Sequence, residues 1–330
     1  MLLLPLGGLA AAAAFWWLNQ PLGIMPPAGD APADVSVDLS IESGTSARGV
    51  AQAVADAGVQ VNPTLLYAWF RLSQKDRQIK AGSYELAPGA TPRTLLKKLV
   101  QGEEALRAVT LVEGWTFAQM REELLTSEQL KPDTQGLDAT QIMQKLGRPG
   151  VAAEGRFFPD TYTYAKGSSD LAVLKRAARA MDKKLDAAWT QRAADSPLKS
   201  PEQALILASI VEKETGRGSD RPQIAGVFTN RMRIGMPLQT DPTVIYGMGA
   251  KFDGNLRKRD LQTDTPWNTY TRRGLPPTPI AMPGKSALLA AVLPAQTKAL
   301  YFVARGDGSS QFSATLDEHN RAVNKYQRGQ

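Results

Sequence analysis

Apolar and polar positions alternate along this chain on several different periods. Residues 2–18 carry no charge, and the first ionisable side chain is Asp30. As a helix rising about 1.5 Å per residue, that run spans roughly 26 Å, enough to cross the hydrocarbon core of a bilayer if residues 19–24 contribute. Trp16 and Trp17 would then sit at an interface. Residues 1–24 are therefore predicted to form a transmembrane helix. No basic residue precedes Leu2 to orient it, and a cleaved signal peptide with Ala31-Pro32-Ala33 as its small-residue site is the rival reading. Residues 25–34, rich in Pro, Ala and Gly, read as a spacer.

Beyond the spacer, a short apolar run, a Gly, a Ser or Thr and an amphipathic stretch recur three times. The first copy is Val37–Ile41 with Gly44, Ser46, Val50 and Val54; the second is Tyr84 to Leu86 with Gly89, Thr91, Leu95, Leu96 and Leu99. The third begins at Val109 and leads through Leu111-Val112 to Gly114 and Thr116, where Gln119 completes a capping box. Each copy reads as a strand followed by a capped helix. Convergent use of turn and cap residues explains the recurrence as well as an internal repeat does. Gly102 closes the second helix, so residues 35–104 are predicted as a small α+β module and residues 105–330 as a larger mixed α/β domain. The fold class is α+β.

In the larger part, helical spacing returns at 171–189, 201–215, 223–232 and 286–293, followed by a strand at 300–304 and a helix from Leu316. Between residues 235 and 284 no period is sustained. Long irregular stretches inside compact domains are usually functional. Gln239-Thr240-Asp241, Asn268-Thr269-Tyr270 and Gly274-Leu275-Pro276-Pro277 supply hydrogen-bonding groups, aromatics and rigid turns that suit a sugar chain.

Composition narrows the classes. With 330 residues, 22% charged and 43% hydrophobic, the chain is neither disordered nor a multi-span membrane protein. Its net charge of +7 favours anionic partners such as headgroups, wall polymers or nucleic acid. The basic clusters Lys97-Lys98, Lys183-Lys184, Arg257-Lys258-Arg259 and Arg272-Arg273 are dispersed, however, with no zinc-finger or basic-zipper pattern, so they read as solvated faces and nucleic acid is not expected. The absence of Cys fits an exported protein without disulfides, metal thiolates or Cys lipidation. No nucleophile elbow, P-loop, Rossmann glycine pattern or zinc-type histidine pair occurs, and His319 is the only histidine. Metal, cofactor and Ser-His-Asp chemistry are therefore not expected. For His319 itself, a surface role is favoured over substrate contact.

The sharpest local pattern is residues 204–216, apolar on every side for two turns and then charged at Glu212-Lys213-Glu214. A helix apolar all round is buried, and Gly216 is predicted to close it in the left-handed conformation. At about 100° per residue, Glu212 and Glu214 lie roughly 200° apart, so they face different surroundings. Glu214 continues the row Leu207, Ile210, Val211, whereas Glu212 continues Leu205, Ala208, Ser209. An apolar neighbourhood and the C-terminal end of a helix dipole both raise a carboxyl pKa, which is what a general acid needs at neutral pH. Equally, both residues could reach solvent or pair with Arg217 and Arg221. Glu154, Asp160, Asp241 and Asp260 are the other acids in contention.

Three segments carry a family resemblance: Ser209 to Thr215, Val227-Phe228-Thr229-Asn230-Arg231-Met232-Arg233-Ile234-Gly235-Met236, and Leu238-Gln239-Thr240-Asp241-Pro242-Thr243-Val244-Ile245-Tyr246-Gly247. With Glu154-Gly155, Phe158-Pro159-Asp160-Thr161, Asn268-Thr269-Tyr270 and Gly274-Leu275-Pro276-Pro277, they resemble the endolytic murein transglycosylases over almost the whole chain from about residue 37. The resemblance implies a single-pass inner-membrane protein facing the periplasm, with a LysM-like subdomain ahead of the catalytic domain. It maps the family's catalytic acid onto Glu214 and makes Gln239, Thr240, Asp241, Asn268, Tyr270 and Glu154 groove candidates. The implied reaction leaves 1,6-anhydromuramoyl ends on peptidoglycan strands and works beside the synthases, ending strand growth. Two other readings remain open: a muramidase in which Asp241 activates water, and a wall-binding scaffold without catalysis.

Overall fold

A computed structural model describes residues 12–24, 37–103 and 106–329, which divide into two compact units. The smaller comprises residues up to 107 with 163–168, and the larger comprises 108–162 with 169–330. Both mix helix and strand.

In the smaller unit, helix α1 (residues 12–18) leads to β1 (Gly23–Ile24), β2 (Val37–Ile41), α2 (Ala47–Asp56), β3 (Val59–Gln60), α3 (Pro63–Leu72), β4 (Gly82–Leu86) and α4 (Pro92–Gln101). β2 pairs antiparallel with β4, Leu39 opposite Tyr84, and alternates strictly, with Val37, Leu39 and Ile41 inward and Asp38 and Ser40 outward. The caps predicted in this unit are present. Ser46 accepts from Gly49 N at 3.2 Å, Thr91 forms a capping box with Thr94, and Gly102 ends α4 at φ 72°. Their helices enclose a core of Leu39, Val50, Val54, Leu66, Phe70, Tyr84, Leu95 and Leu99.

Residues 1–11 of the predicted membrane anchor lie outside the described residues, as do the spacer and Ala31-Pro32-Ala33. Among the described residues no helix is long and apolar enough to cross a membrane. Residues 17–24 instead belong to the small unit. Leu22 is buried in its core, Trp17 and Ile24 pack against that core, and β1 pairs antiparallel with β3. Leu22 N also donates to Ala90 O at 2.7 Å. Of the large apolar side chains described there, Phe15 and Trp16 stay broadly exposed.

β5 (Leu106–Thr110) begins the passage into the larger unit and pairs with β6 (Thr161–Ala165). Between them lie α5 (Phe117–Thr126), which starts with the predicted Thr116–Gln119 capping box, and α6 (Ala139–Lys145). The rest of the unit is α7 (Asp170–Thr190), α8 (Pro201–Glu214), α9 (Arg221–Arg233), α10 (Asp241–Met248), α11 (Lys258–Gln262), α12 (Lys285–Val292), the antiparallel strands β7 (Tyr301–Ala304) and β8 (Ser310–Ser313), and α13 (Leu316–Gln327). α8 is the axle of this unit. Every residue from Ala204 to Val211 is buried, and α7, α9, α10 and α12 pack around it. The stretch 235–284 is less irregular than its sequence predicts, since it holds α10 and α11. Both are too short to show a period, and Pro242, which reads as a breaker, sits in the first turn of α10 where its missing N–H costs nothing.

Candidate active site

The candidate site lies at the C-terminal end of α8. The helix stops because Thr215 turns extended (φ −150°, ψ 133°), so Gly216 is not the left-handed cap predicted for it. The fold turns Glu212 and Glu214 to different surroundings, as their spacing predicts. Glu212 accepts from Arg221 Nη2 at 2.6 Å and from Gly284 N at 2.9 Å. Its side chain is 4% exposed and that of Arg221 is 10%, so this pair ties α8 to α9 and to the loop before α12. Burial raises the Glu212 pKa, while Gly284 N and Arg221 pull it down.

Glu214, by contrast, lines a cleft of about 400 Å³ with Arg231, Gln239, Asp241, Tyr270, Tyr301, Phe302, Leu316 and His319. The Thr240 hydroxyl donates to Glu214 Oε1. Burial foremost, with the nearby Asp241 charge, lifts the Glu214 carboxyl to about 7; the Thr240 bond and Arg231 work against that rise. A side chain with that proton affinity is part protonated at neutral pH and can both give and take a proton.

Two loops are stitched together to hold Thr240 in place. Gln239 N donates to Thr269 O at 3.1 Å, and Thr240 N donates to Thr269 Oγ1 at 3.1 Å. Thr243 Oγ1 donates to Thr240 O at 2.7 Å and lies 2.9 Å from Thr269 Oγ1. Gln239 carries a positive φ of 49°, a conformation that costs an L-residue roughly 1–2 kcal/mol and so marks a constrained position. Tyr270 OH donates to Asp241 Oδ1 at 2.5 Å.

Of the sequence-predicted site residues, Glu214, Thr240, Gln239, Asp241 and Tyr270 therefore come together. Asn268 does not line the cleft. It is wholly buried, its Nδ2 donating to the carbonyls of Leu261 (3.0 Å) and Thr263 (2.7 Å) and its Oδ1 accepting from Tyr270 N at 2.8 Å. Its work is to fold the loop that presents Tyr270.

Glu154 lies in a different cavity, about 440 Å³, walled in part by Arg121, Tyr246 and Trp267. It accepts from Phe117 N, the first residue of α5, at 3.0 Å and from Tyr246 OH at 3.2 Å. Burial raises its carboxyl to about 7 as well. The neighbouring Gly155 has φ 79°, and a Cβ there would lie 2.5 Å from Pro279 Cβ, so only glycine lets these segments meet.

The structure also brings into the cleft residues that sequence reasoning did not select: Arg231, Tyr301, Phe302, Leu316 and His319. His319, read from sequence as a surface residue, stacks on Tyr301 with centroids 5.2 Å apart, and its Nδ1 is buried with no partner among the described residues. Burial first, then Arg231, lowers its pKa.

With this geometry in hand, comparison with known proteins is specific. A model of the YceG-like family matches residues 39–325. The chain is 30% identical over 308 residues to an endolytic murein transglycosylase of Bacillus subtilis, covering 88% of this chain and 85% of that protein. It is 28% identical to an endolytic murein transglycosylase of Streptococcus pneumoniae over 334 residues, covering 89% of this chain and 59% of that longer protein. Among solved structures, a YceG-like protein from Listeria monocytogenes is similar at a TM-score of 0.55 and 28% identity, covering 87% of this chain and 99% of that one.

Proposed function

The chain belongs to the YceG-like family, and from that membership together with the Glu214 cleft we propose that it is an endolytic murein transglycosylase, cutting between N-acetylmuramoyl and N-acetylglucosamine residues inside peptidoglycan strands. What carries the reading is the carboxyl of Glu214, seated where a buried helix opens into a cleft, fixed by Thr240 and raised to about 7. In its protonated form Glu214 donates to the glycosidic oxygen as the bond to the muramoyl C1 breaks. The carboxylate left behind takes the proton of the same sugar's 6-hydroxyl as O6 attacks C1, closing the 1,6-anhydro ring. Glu214 ends as it began, and no water is consumed. A second carboxylate acting as nucleophile or water activator is therefore unnecessary, unlike in most glycoside hydrolases. Thr240 orients Glu214, and Gln239, Asp241 and Tyr270 contact the sugars.

Digestion of purified murein by the full chain, followed by mass spectrometry of the end groups, tests this directly. Anhydromuramoyl ends are the expected product; reducing ends heavier by one water would convert the assignment to a muramidase with Asp241 as base. The same assay run against pH is expected to show kcat/KM falling about tenfold per unit above roughly pH 7, because the enzyme must meet substrate with Glu214 protonated.

Murein lies in the cell envelope, so the chain works there on this reading. On this reading residues 2–16, the part of the apolar run that does not pack into the small unit, hold the chain at the inner membrane with the catalytic unit in the periplasm, beside synthases whose nascent strands it would cut. The order β2-α2-β3-α3-β4, with β2 paired to β4, supports a LysM-like, glycan-holding role for the small unit. The full chain is expected to stay with membranes through alkaline carbonate extraction; complete release would remove the anchor.

A further inference from the structure

Arg231 is a buried cation without a carboxylate partner. It is 7% exposed and forms no ion pair among the described residues. Its guanidinium is nevertheless rigidly held. Nε donates to Leu300 O at 2.7 Å, Nη1 donates to Leu238 O at 2.6 Å, and the Tyr301 ring centroid lies 5.3 Å from Cζ. Nη2 has no protein partner among the described residues. Carbonyl bonds of this kind need donors but not a charge, and a buried charge is costly unless something compensates it.

The compensation lies in the cleft. Facing Glu214 there are Asp241 from α10, Tyr270 from the loop after α11, Tyr301 from β7, His319 from α13 and Arg231 from α9. His319 is held towards its neutral form, so Arg231 is the cation among these residues. Once Glu214 gives up its proton, its carboxylate stands beside Asp241 in a partly desolvated space. Without a cation, that state would repel itself and the proton would leave less readily.

We infer that Arg231 is a positioning residue for Glu214: its fixed charge stabilises the carboxylate that Glu214 becomes after protonating the leaving oxygen, so that the same side chain can then serve as base. This rests on the transglycosylase reading above. Burial and Asp241 push the proton affinity of Glu214 up, and Arg231 with Thr240 restrains it.

The test is the pH dependence of kcat/KM for release of anhydro-ended products by Arg231→Lys and Arg231→Met, both in the full chain. Arg231→Lys keeps a charge and should keep its alkaline limb near the wild-type position. Arg231→Met should move that limb up by about one unit, lower the plateau at least about tenfold, and change KM by less than about twofold. Should Arg231→Met fail to fold by circular dichroism, Arg231→Gln, whose amide nitrogen can replace Nε towards Leu300 O, carries the same expectation. An unmoved limb in a folded, charge-free variant overturns the inference, as does failure of both charge-free variants to fold, which would make Arg231 a structural residue. Absence of anhydro ends from the wild type at every pH would instead overturn the function itself.

Discussion

Replacing Glu214 with Gln is expected to lower murein cleavage by at least roughly a thousandfold while leaving glycan binding within about twofold, because the amide matches the carboxyl in shape and can still accept from Thr240 but cannot pass a proton. A second readout separates this from misfolding. A folded carboxyl pKa raised from 4.5 to about 7 contributes stability that is fully present below pH 4.5 and is lost as pH rises through 7. At pH 8 the wild type therefore bears the cost of a partly buried charge, at most about 3 kcal/mol and less here because the cleft is open to solvent. The Gln variant does not bear it. It should be inactive and yet more stable than wild type at pH 8, with the two converging near pH 4.5 in urea unfolding. Appreciable retained cleavage would remove Glu214 from the mechanism. A stability difference that does not change with pH would show that Glu214 is not desolvated.

How much of this was legible in the sequence depends on how local each feature is. Ser46, Thr91, Thr116 and Gln119 cap helices by bonds spanning three residues, and they sit where the pattern puts them. The opposed faces of Glu212 and Glu214 follow from helical geometry alone. What did not show is non-local. Tyr301, Phe302 and His319 reach the cleft only because β7 and β8 pair and α13 packs against them, contacts with no signature in the residues themselves. Asn268 and Tyr270 share a loop and looked alike, yet the first is spent on carbonyls of its own loop while the second reaches the cleft. Glu154 shares a burial-raised carboxyl with Glu214, but its partners Phe117 and Tyr246 place it in a different cavity.

The other glutamate of the pair sets the largest expected stability effect. Glu212 and Arg221 are both nearly sealed from solvent, and the nearest other acid to Arg221 is Glu113, 3.9 Å away and half-exposed. Glu212→Ala would leave a buried guanidinium facing that weak partner and Gly284 N with no acceptor, so a loss of about 3–5 kcal/mol in urea unfolding is expected. Glu212→Gln should lose less, since its oxygen can still serve one of the two donors. Removing both charges, as Glu212→Leu with Arg221→Met, should destabilise less than the sum of the single substitutions, because neither charge is then stranded. The activity readout runs the other way from Glu214. Folded Glu212→Gln should retain most of its cleavage, since this carboxyl bonds to α9 and to the loop before α12 and does not line the cleft. If the two Gln substitutions abolished cleavage equally in folded protein, the helix end would be acting as a carboxylate pair, and the division between one structural and one chemical glutamate would be lost.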